Sequence, residues 1–462
     1  MKTDFTTYQS PFSWRYGTKE MRELFSEINK RKTWRKVWVA LAKAQAKQGL
    51  VTKKELQDIE KNKDNIDIEV AHLYEKDLKH DLMSEVKTFA SQSKIGGGKI
   101  HFGATSQDIE DNADALIHKT AIEILEKKLK KLLKIWAMQI DENKDLVCMA
   151  YTHLQPAEPT TLGYRFAFYA QDLLLDLELL NFVRQQIKGK GFKGAVGNSA
   201  SYVSILGQKA KLLEKDILQD LGIESFDITT QVYPRKIDFW LLTLLSSIAQ
   251  SLNKFAFDLR IMQSSPYGEL AEPFGEKQIG SSAMPFKRNP QNSEKICSLA
   301  RYISTLGKVA WDNAANSLLE RTLDDSASRR IIIPDTFLAA DEILSVTQFI
   351  LEGLVVNKKN IDKNLTLYGP FSALEAILLG CTKNGANRQE MHELLRNHSL
   401  KVYEEMQEIG ENNLTKYIEN DKTILKFLTK EEIKNASNYR NHVGLASIKS
   451  KETIKKIKEV LK

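Results

Sequence analysis

The sequence predicts an all-α protein organised around a long helical bundle. Three observations carry this reading. Apolar residues recur three and four apart over long stretches. No alternating apolar–polar run of useful strand length stands out. Gly (23) and Pro (10) are sparse in 462 residues, which disfavours a turn-rich all-β fold and excludes collagen-like or linker-dominated chains.

The clearest helical seam is Leu242, Leu245, Ala249, Leu252, Ala256 and Leu259, accompanied by Leu241, Ile248, Phe255 and Met262 every seven residues. Two apolar stripes on one helix mean burial over much of its circumference. Phe166, Ala170, Leu173, Leu177, Leu180 and Ile187 form a second seam with near-heptad spacing. Leu125, Leu129, Leu132, Trp136 and Ile140 form a third, on a helix expected from Asp111 to about Glu142. These helices exceed the usual globular length and contain no proline, as in a bundle. Helices apolar on so much surface are expected to find neighbours in other subunits, so a homo-oligomer is expected.

At roughly 150 residues per domain, the length suggests about three domains. Three breaks punctuate the chain: Gly96-Gly97-Gly98, the glycine-rich stretch from Gly189 to Gly197, and Leu367-Tyr368-Gly369-Pro370. They suggest divisions at 1–112, 113–365 and 366–462.

Composition narrows the class of partner. The net charge of +7 comes from 67 basic and 60 acidic residues. Lysine is mixed with acid nearly everywhere, as in Glu126-Lys127-Lys128-Leu129-Lys130-Lys131, which reads as a solvated helix face. No nucleic-acid partner is expected from such interspersed charge. A mild positive balance suits anionic small molecules. The uncharged run from Phe239 to Asn253 is too short to cross a bilayer. The segment Met1 to Gly17 lacks a signal-peptide core. No membrane partner and a cytoplasmic location are therefore expected. Cys148, Cys297 and Cys381 are too few and too scattered for a disulfide framework or a zinc site.

Several segments could carry chemistry. Gly280-Ser281-Ser282-Ala283-Met284-Pro285-Phe286-Lys287-Arg288-Asn289-Pro290 interrupts helical sequence with small residues, two prolines and two cations. Its N–H and hydroxyl donors suit an anion, and Lys287 and Asn289 can hold a carboxylate. Taken alone it reads equally as an exposed loop. His153 lies in a proline-rich approach to the second seam, with Thr160 read as the helix N-cap. His80 stands between Lys79 and Asp81. A neighbouring carboxylate could tune either imidazole for proton transfer, although a lone histidine is more often structural. Thr105-Ser106 precedes a helix, where free N–H groups suit an anion but an ordinary cap is the commoner meaning. The stretch from Glu320 to Arg330 is dense in arginine and hydroxyls, matching phosphate geometry or, more commonly, a salt-bridged turn.

Jointly and in this order these blocks resemble the fumarase/aspartase superfamily and, within it, the adenylosuccinate lyase family. The loop at 280–290 is similar to the superfamily's signature loop. Arg15-Tyr16-Gly17, Lys79-His80-Asp81, Thr105-Ser106, the block at Thr152 to Ala157, Gln231 to Arg235, Glu320 to Arg330 and Asn387 to Glu393 fall where that family carries similar blocks. The resemblance spans nearly the whole chain. It implies a three-domain, all-α lyase fold whose central helices assemble into a tetrameric helix core. Each active site would draw on three chains.

The resemblance also implies a β-elimination without metal or organic cofactor. Adenylosuccinate would be split to AMP and fumarate, and the succinyl-carboxamide ribotide SAICAR to AICAR and fumarate. Ser281 would be the general base, His153 the general acid and Glu294 the carboxylate that orients it. Lys287, Asn289, Thr105, Ser106 and Gln231 would hold the succinyl carboxylates. Arg15, Tyr16, His80, Arg321, Ser326 and Arg330 would hold the phosphate and ribose, with Lys79 and Asp81 flanking His80 in the binding block. The sequence departs from the family pattern at Phe286, at Asn198 and at Lys295. Lys295 stands for a substrate-contacting Arg, keeping the charge but losing the bidentate fork. Other superfamily lyases share the loop but need no phosphate clamp, which the Arg15-Tyr16 and Arg321 to Arg330 blocks argue for. An inactive helical scaffold would have little reason to keep Ser281, Lys287, Asn289, His153 and Glu294 together.

Overall fold

The computed structural model describes residues 6–462, so the first five residues of the Met1 to Gly17 segment lie outside the described part. Helices dominate it. Those that matter for the site are α1 (Glu27–Lys47), α2 (Asp81–Gln92), α3 (Ser106–Asn143), α4 (Leu162–Gln186), α5 (Lys236–Gln263), α6 (Gln291–Ala315), α7 (Asp324–Glu352) and α8 (Lys358–Lys383). Contacts divide the chain into two compact units. One comprises Met1–Lys128, Asp176–Gln250 and Ser298–Ser345; the other comprises Leu129–Leu175, Ser251–Cys297 and Val346–Lys462. Helices α3 to α7 each contribute residues to both.

Every residue of the three seams is buried within the single chain. Period alone therefore identified the inner faces correctly. The same fact removes the seams as a reason for other subunits, because one chain already covers them. In the second unit, Trp136 of α3 meets Phe166 and Tyr169 of α4 and Phe255 of α5, with ring centroids 5.4, 5.7 and 5.0 Å away.

In the first unit, Ser26 caps α1, accepting from Asn29 N. Trp34, Trp38 and Leu41 of α1 pack with Phe89 of α2 and Ile109 of α3 in one apolar cluster. Arg31 and Arg35 on α1 fork the buried Glu85 of α2 at 2.9 and 2.7 Å. Such a triad fixes register because any slip would strand a buried charge. It thereby sets α2, whose N-cap is His80. The N-terminal segment docks on α7: Gly17 N donates to Glu342 and Thr18 N to Asp341, at 3.1 and 2.6 Å. Gly17 has φ +78°, and a Cβ there would lie 2.8 Å from Leu338 Cδ2, so glycine fits on two grounds.

Four local expectations are corrected. The third-seam helix begins at Ser106 rather than Asp111, because Asp108 accepts from Thr105 N and closes the earlier turn. Strands, unforeseen in the sequence, form an antiparallel hairpin of β1 (Val147–Thr152) and β2 (Gln155–Thr161), and two further residue pairs join Leu270–Ala271 to Val355–Val356. The cap of α4 is Thr161, not Thr160: its hydroxyl accepts from Tyr164 N at 3.2 Å. Finally, Leu367 to Pro370 is no break but the interior of α8. Asn412 donates to the Leu367 carbonyl at 2.8 Å, beside the position where Pro370 lacks its N–H. Helix α8 is apolar and long enough to cross a membrane by length and composition; ten of its residues are buried in the fold.

Candidate active site

The residues singled out in the sequence fall into two groups, one in each unit. The first group centres on the starts of α2, α3 and α7. His80 accepts from Met83 N through Nδ1 at 3.5 Å, and its Nε2 lies 3.4 Å from Ser106 Oγ. Two separate blocks of the sequence thus meet. Asp81 pairs with Arg330 at 2.7 Å, joining a third. Burial alone would raise the Asp81 carboxyl, but the Arg330 guanidinium holds it below the ordinary carboxylate range. Gln231 N donates to Glu320 O at 3.2 Å, tying its segment to the turn before Arg321.

Arg15 stacks its guanidinium on the Trp14 and Tyr16 rings, and Tyr16 packs edge-on against Phe12. Lys79 ends the preceding helix in the left-handed conformation with φ 52°, its N–H donating to Glu75 O.

Arg321, Ser326 and Arg330 line a cavity of about 310 Å³. Lys30, Glu110, Asp114, His118 and Arg329 line it too, and sequence reasoning assigned none of them. Behind it lies a buried charge network. Arg235 bridges Asp111 at 3.0 Å and Asp325 at 2.7 Å, and Asp325 takes Arg321 Nη1 at 2.9 Å. Arg329 binds Asp238 at 2.6 Å, Asp114 at 3.1 Å and the Tyr233 hydroxyl at 2.8 Å. Arg321 keeps a buried Nε with no hydrogen-bond partner. Arg321 and Arg330 bring two guanidinium groups to the cavity lining, which suits an anionic ligand. Two of its acids, Asp111 and Asp114, stand three apart at the start of α3, a spacing that marks one charged helix face but not its partners.

Burial, then the charges of Asp81 and Asp114, push the Glu110 carboxyl from 4.5 up to about 8. The folded chain therefore holds a proton that the unfolded chain has lost between those values. Stability should fall as pH rises through that window, by at most about 1.4 kcal/mol per pH unit. Denaturation midpoints at pH 5 and pH 8 check this. Wild type should lose stability relative to Glu110→Gln over that interval, and parallel behaviour of the two would refute the shift.

The second group contains the signature loop, the hairpin tip and the start of α6. Ser281 Oγ accepts from Met284 N at 3.1 Å and Ala283 N at 3.4 Å. Two N–H dipoles aimed at one hydroxyl oxygen favour its anionic form. Asn289 donates to Gly280 O at 2.8 Å and so closes the base of the loop. A Cβ on Gly280 would lie 2.0 Å from Lys287 O, so the loop closes only around glycine. Lys287 is exposed, and its ammonium makes no ion pair among the described residues, leaving the backbone alone to hold the Ser281 oxygen.

His153 occupies the hairpin tip, exposed, with φ 52°. Glu294 is exposed on the first turn of α6, and Lys295 follows it, half-buried. Within the chain no hydrogen bond or ion pair joins His153 to Glu294 or Ser281 among the described residues. The structure thus brings together His80, Asp81, Ser106 and Arg330, and Arg321 with Ser326, but leaves the named acid and base unconnected. As for metal ligands, Glu158, Glu375 and His442 bring donor atoms within 4.8 Å of one another, all three at least partly exposed. None of them belongs to the candidate catalytic or binding residues.

Comparison with known proteins gives the arrangement its context. A family described as Lyase matches residues 13–304, and one described as Adenylosuccinate lyase C-terminus matches residues 370–450. The adenylosuccinate lyase of Schistosoma mansoni is 40% identical over 426 residues, covering 90% of this chain and 88% of the relative. That of Methanocaldococcus jannaschii is 38% identical, covering 97% and 96%. Among solved structures, the 3-carboxy-cis,cis-muconate lactonizing enzyme of Pseudomonas putida shares the fold, with a TM-score of 0.87 at 23% identity over 98% of this chain and 99% of that one. The chain belongs to the adenylosuccinate lyase family and is an enzyme of the lyase class.

Proposed function

We propose that the chain eliminates fumarate from adenylosuccinate to give AMP, and from SAICAR to give AICAR, in purine nucleotide biosynthesis. One observation carries this reading furthest. A cavity lined by Arg321, Ser326 and Arg330 gathers two guanidinium groups and a hydroxyl around one space, a phosphate seat that a lyase of unphosphorylated substrates would not need.

In this reading Ser281 takes the proton from the carbon β to the departing nitrogen. The C–H electron pair forms the double bond of fumarate, and the C–N bond breaks. His153 gives its proton to the leaving nitrogen. The N–H groups of Ala283 and Met284 lower the cost of the serine anion. Lys287, Asn289, Thr105, Ser106 and Gln231 take the succinyl carboxylates, stabilising the charge that builds on the carboxylate beside the reacting carbon. Lys295 adds a point charge there. Arg15, Tyr16, His80 and the Arg321 to Arg330 block take the ribose phosphate.

We also propose a cytoplasmic homotetramer with each site shared among three chains. The exposed His153 and Glu294, unpaired with each other in one chain, support sharing. So do the large apolar side chains left in solvent, Phe168, Phe182, Phe257, Trp311 and Phe349, each about half exposed.

The phosphate reading is tested with Arg330→Ala. A charge-assisted hydrogen bond is worth about 1.5–3 kcal/mol, so KM for adenylosuccinate should rise roughly ten- to a hundredfold while kcat changes less. Unchanged KM and kcat would remove Arg330 from the phosphate site.

A further inference from the structure

The hairpin tip is an unfavourable piece of backbone. Thr152 pairs with Gln155, so His153 and Leu154 form a two-residue turn. Both have positive φ, 52° and 61°. Asn-Gly is the usual choice for such a turn. A non-glycine residue in the left-handed region costs roughly 1–2 kcal/mol, and two stand here in sequence. Leu154 is exposed, so its own burial offsets little of that cost.

Contacts from a single segment hold the turn in place. The Tyr267 hydroxyl donates to the Leu154 carbonyl at 2.9 Å. The Tyr267 ring meets Tyr151 edge-on at 4.9 Å. The Tyr151 hydroxyl in turn donates to the buried Glu269 at 2.9 Å. Helix α8 anchors the segment: Asn364 donates to Tyr267 O at 3.1 Å and to Glu269 at 2.9 Å, and Asn360 to Gly268 O at 2.9 Å. His153 itself makes no hydrogen bond or ion pair among the described residues. Its direction is therefore set by the backbone of the turn.

We propose that Tyr267 is a positioning residue for the reaction: its hydroxyl clamps the strained His153-Leu154 turn so that the imidazole is aimed at the departing nitrogen. This rests on the reading of His153 as the proton donor. Glu269 and Asn364 support the clamp from behind.

The test compares Tyr267→Phe, His153→Gln and the double variant Tyr267→Phe/Leu154→Asn with wild type, measuring kcat, KM and the thermal midpoint. Tyr267→Phe should lower kcat about tenfold or more, equivalent to at least about 1.4 kcal/mol on the barrier, with KM and the midpoint nearly unchanged. Asparagine accepts the left-handed conformation more readily than leucine. Leu154→Asn should therefore restore much of the lost kcat without the hydroxyl, which a mere packing role for Tyr267 would not allow. Full activity of Tyr267→Phe beside an inactive His153→Gln would overturn the clamp alone. So would a loss in Tyr267→Phe that follows the midpoint and resists rescue. Wild-type turnover by His153→Gln would instead overturn the proton-donor reading beneath it.

Discussion

Ser281→Ala should lower kcat by about a thousandfold or more and leave the fold intact. The hydroxyl accepts two backbone N–H bonds and supports nothing else among the described residues. Its loss frees Ala283 N and Met284 N, both in an exposed loop where water can satisfy them. The stability cost is therefore small. The kinetic cost is large because general-base catalysis by a positioned group contributes about 10²–10⁴-fold, and here the N–H dipoles are arranged for that oxygen and no other. Turnover and thermal midpoint, measured on the same preparation, separate the two effects. A kcat within tenfold of wild type would remove Ser281 from the role of base.

Arg235→Met should be the most damaging change in the charge network behind the cavity. Arg235 is the bridge between Asp111 and Asp325, and all three side chains are buried. Removing one member of a buried ion pair costs about 3–5 kcal/mol, because the partner charge stays behind without compensation. Asp111 would be left in that state, while Asp325 would keep Arg321. Asp325 also holds Arg321 at the cavity wall, so the damage should reach substrate binding. The denaturation midpoint should fall sharply and KM for adenylosuccinate should rise. Arg235→Lys, which keeps the charge and loses the fork, should fall between. An unchanged midpoint in Arg235→Met would contradict the network.

What was legible in the sequence follows from the range of the forces involved. The helical seams were legible because a helix face is set by residues three and four apart, and all the named positions are buried. The hairpin was hidden. Its β1 strand carries an irregularity between Met149 and Tyr151, and β2 contains Pro156 and Pro159, so neither alternates cleanly. Proline hid the helix at α8 as well, since Pro370 reads as a stop but lies inside the helix Lys358–Lys383.

The site divides in the same way. Short blocks such as Lys79-His80-Asp81 were visible, and the structure adds which block each one meets: His80 finds Ser106, and Asp81 finds Arg330. The buried bridges of Arg235 were invisible because their ends lie 90 and 124 residues apart. No local pattern encodes a pairing at that distance. Tyr267 escaped for the same reason, lying 113 residues from the carbonyl it holds.

The most direct measurement is fumarate release by the purified protein, supplied separately with adenylosuccinate, argininosuccinate, aspartate and malate. The account predicts fumarate from adenylosuccinate alone, with one AMP formed for each fumarate. Fumarate from one of the other three substrates, or none from adenylosuccinate by a folded protein, would contradict it.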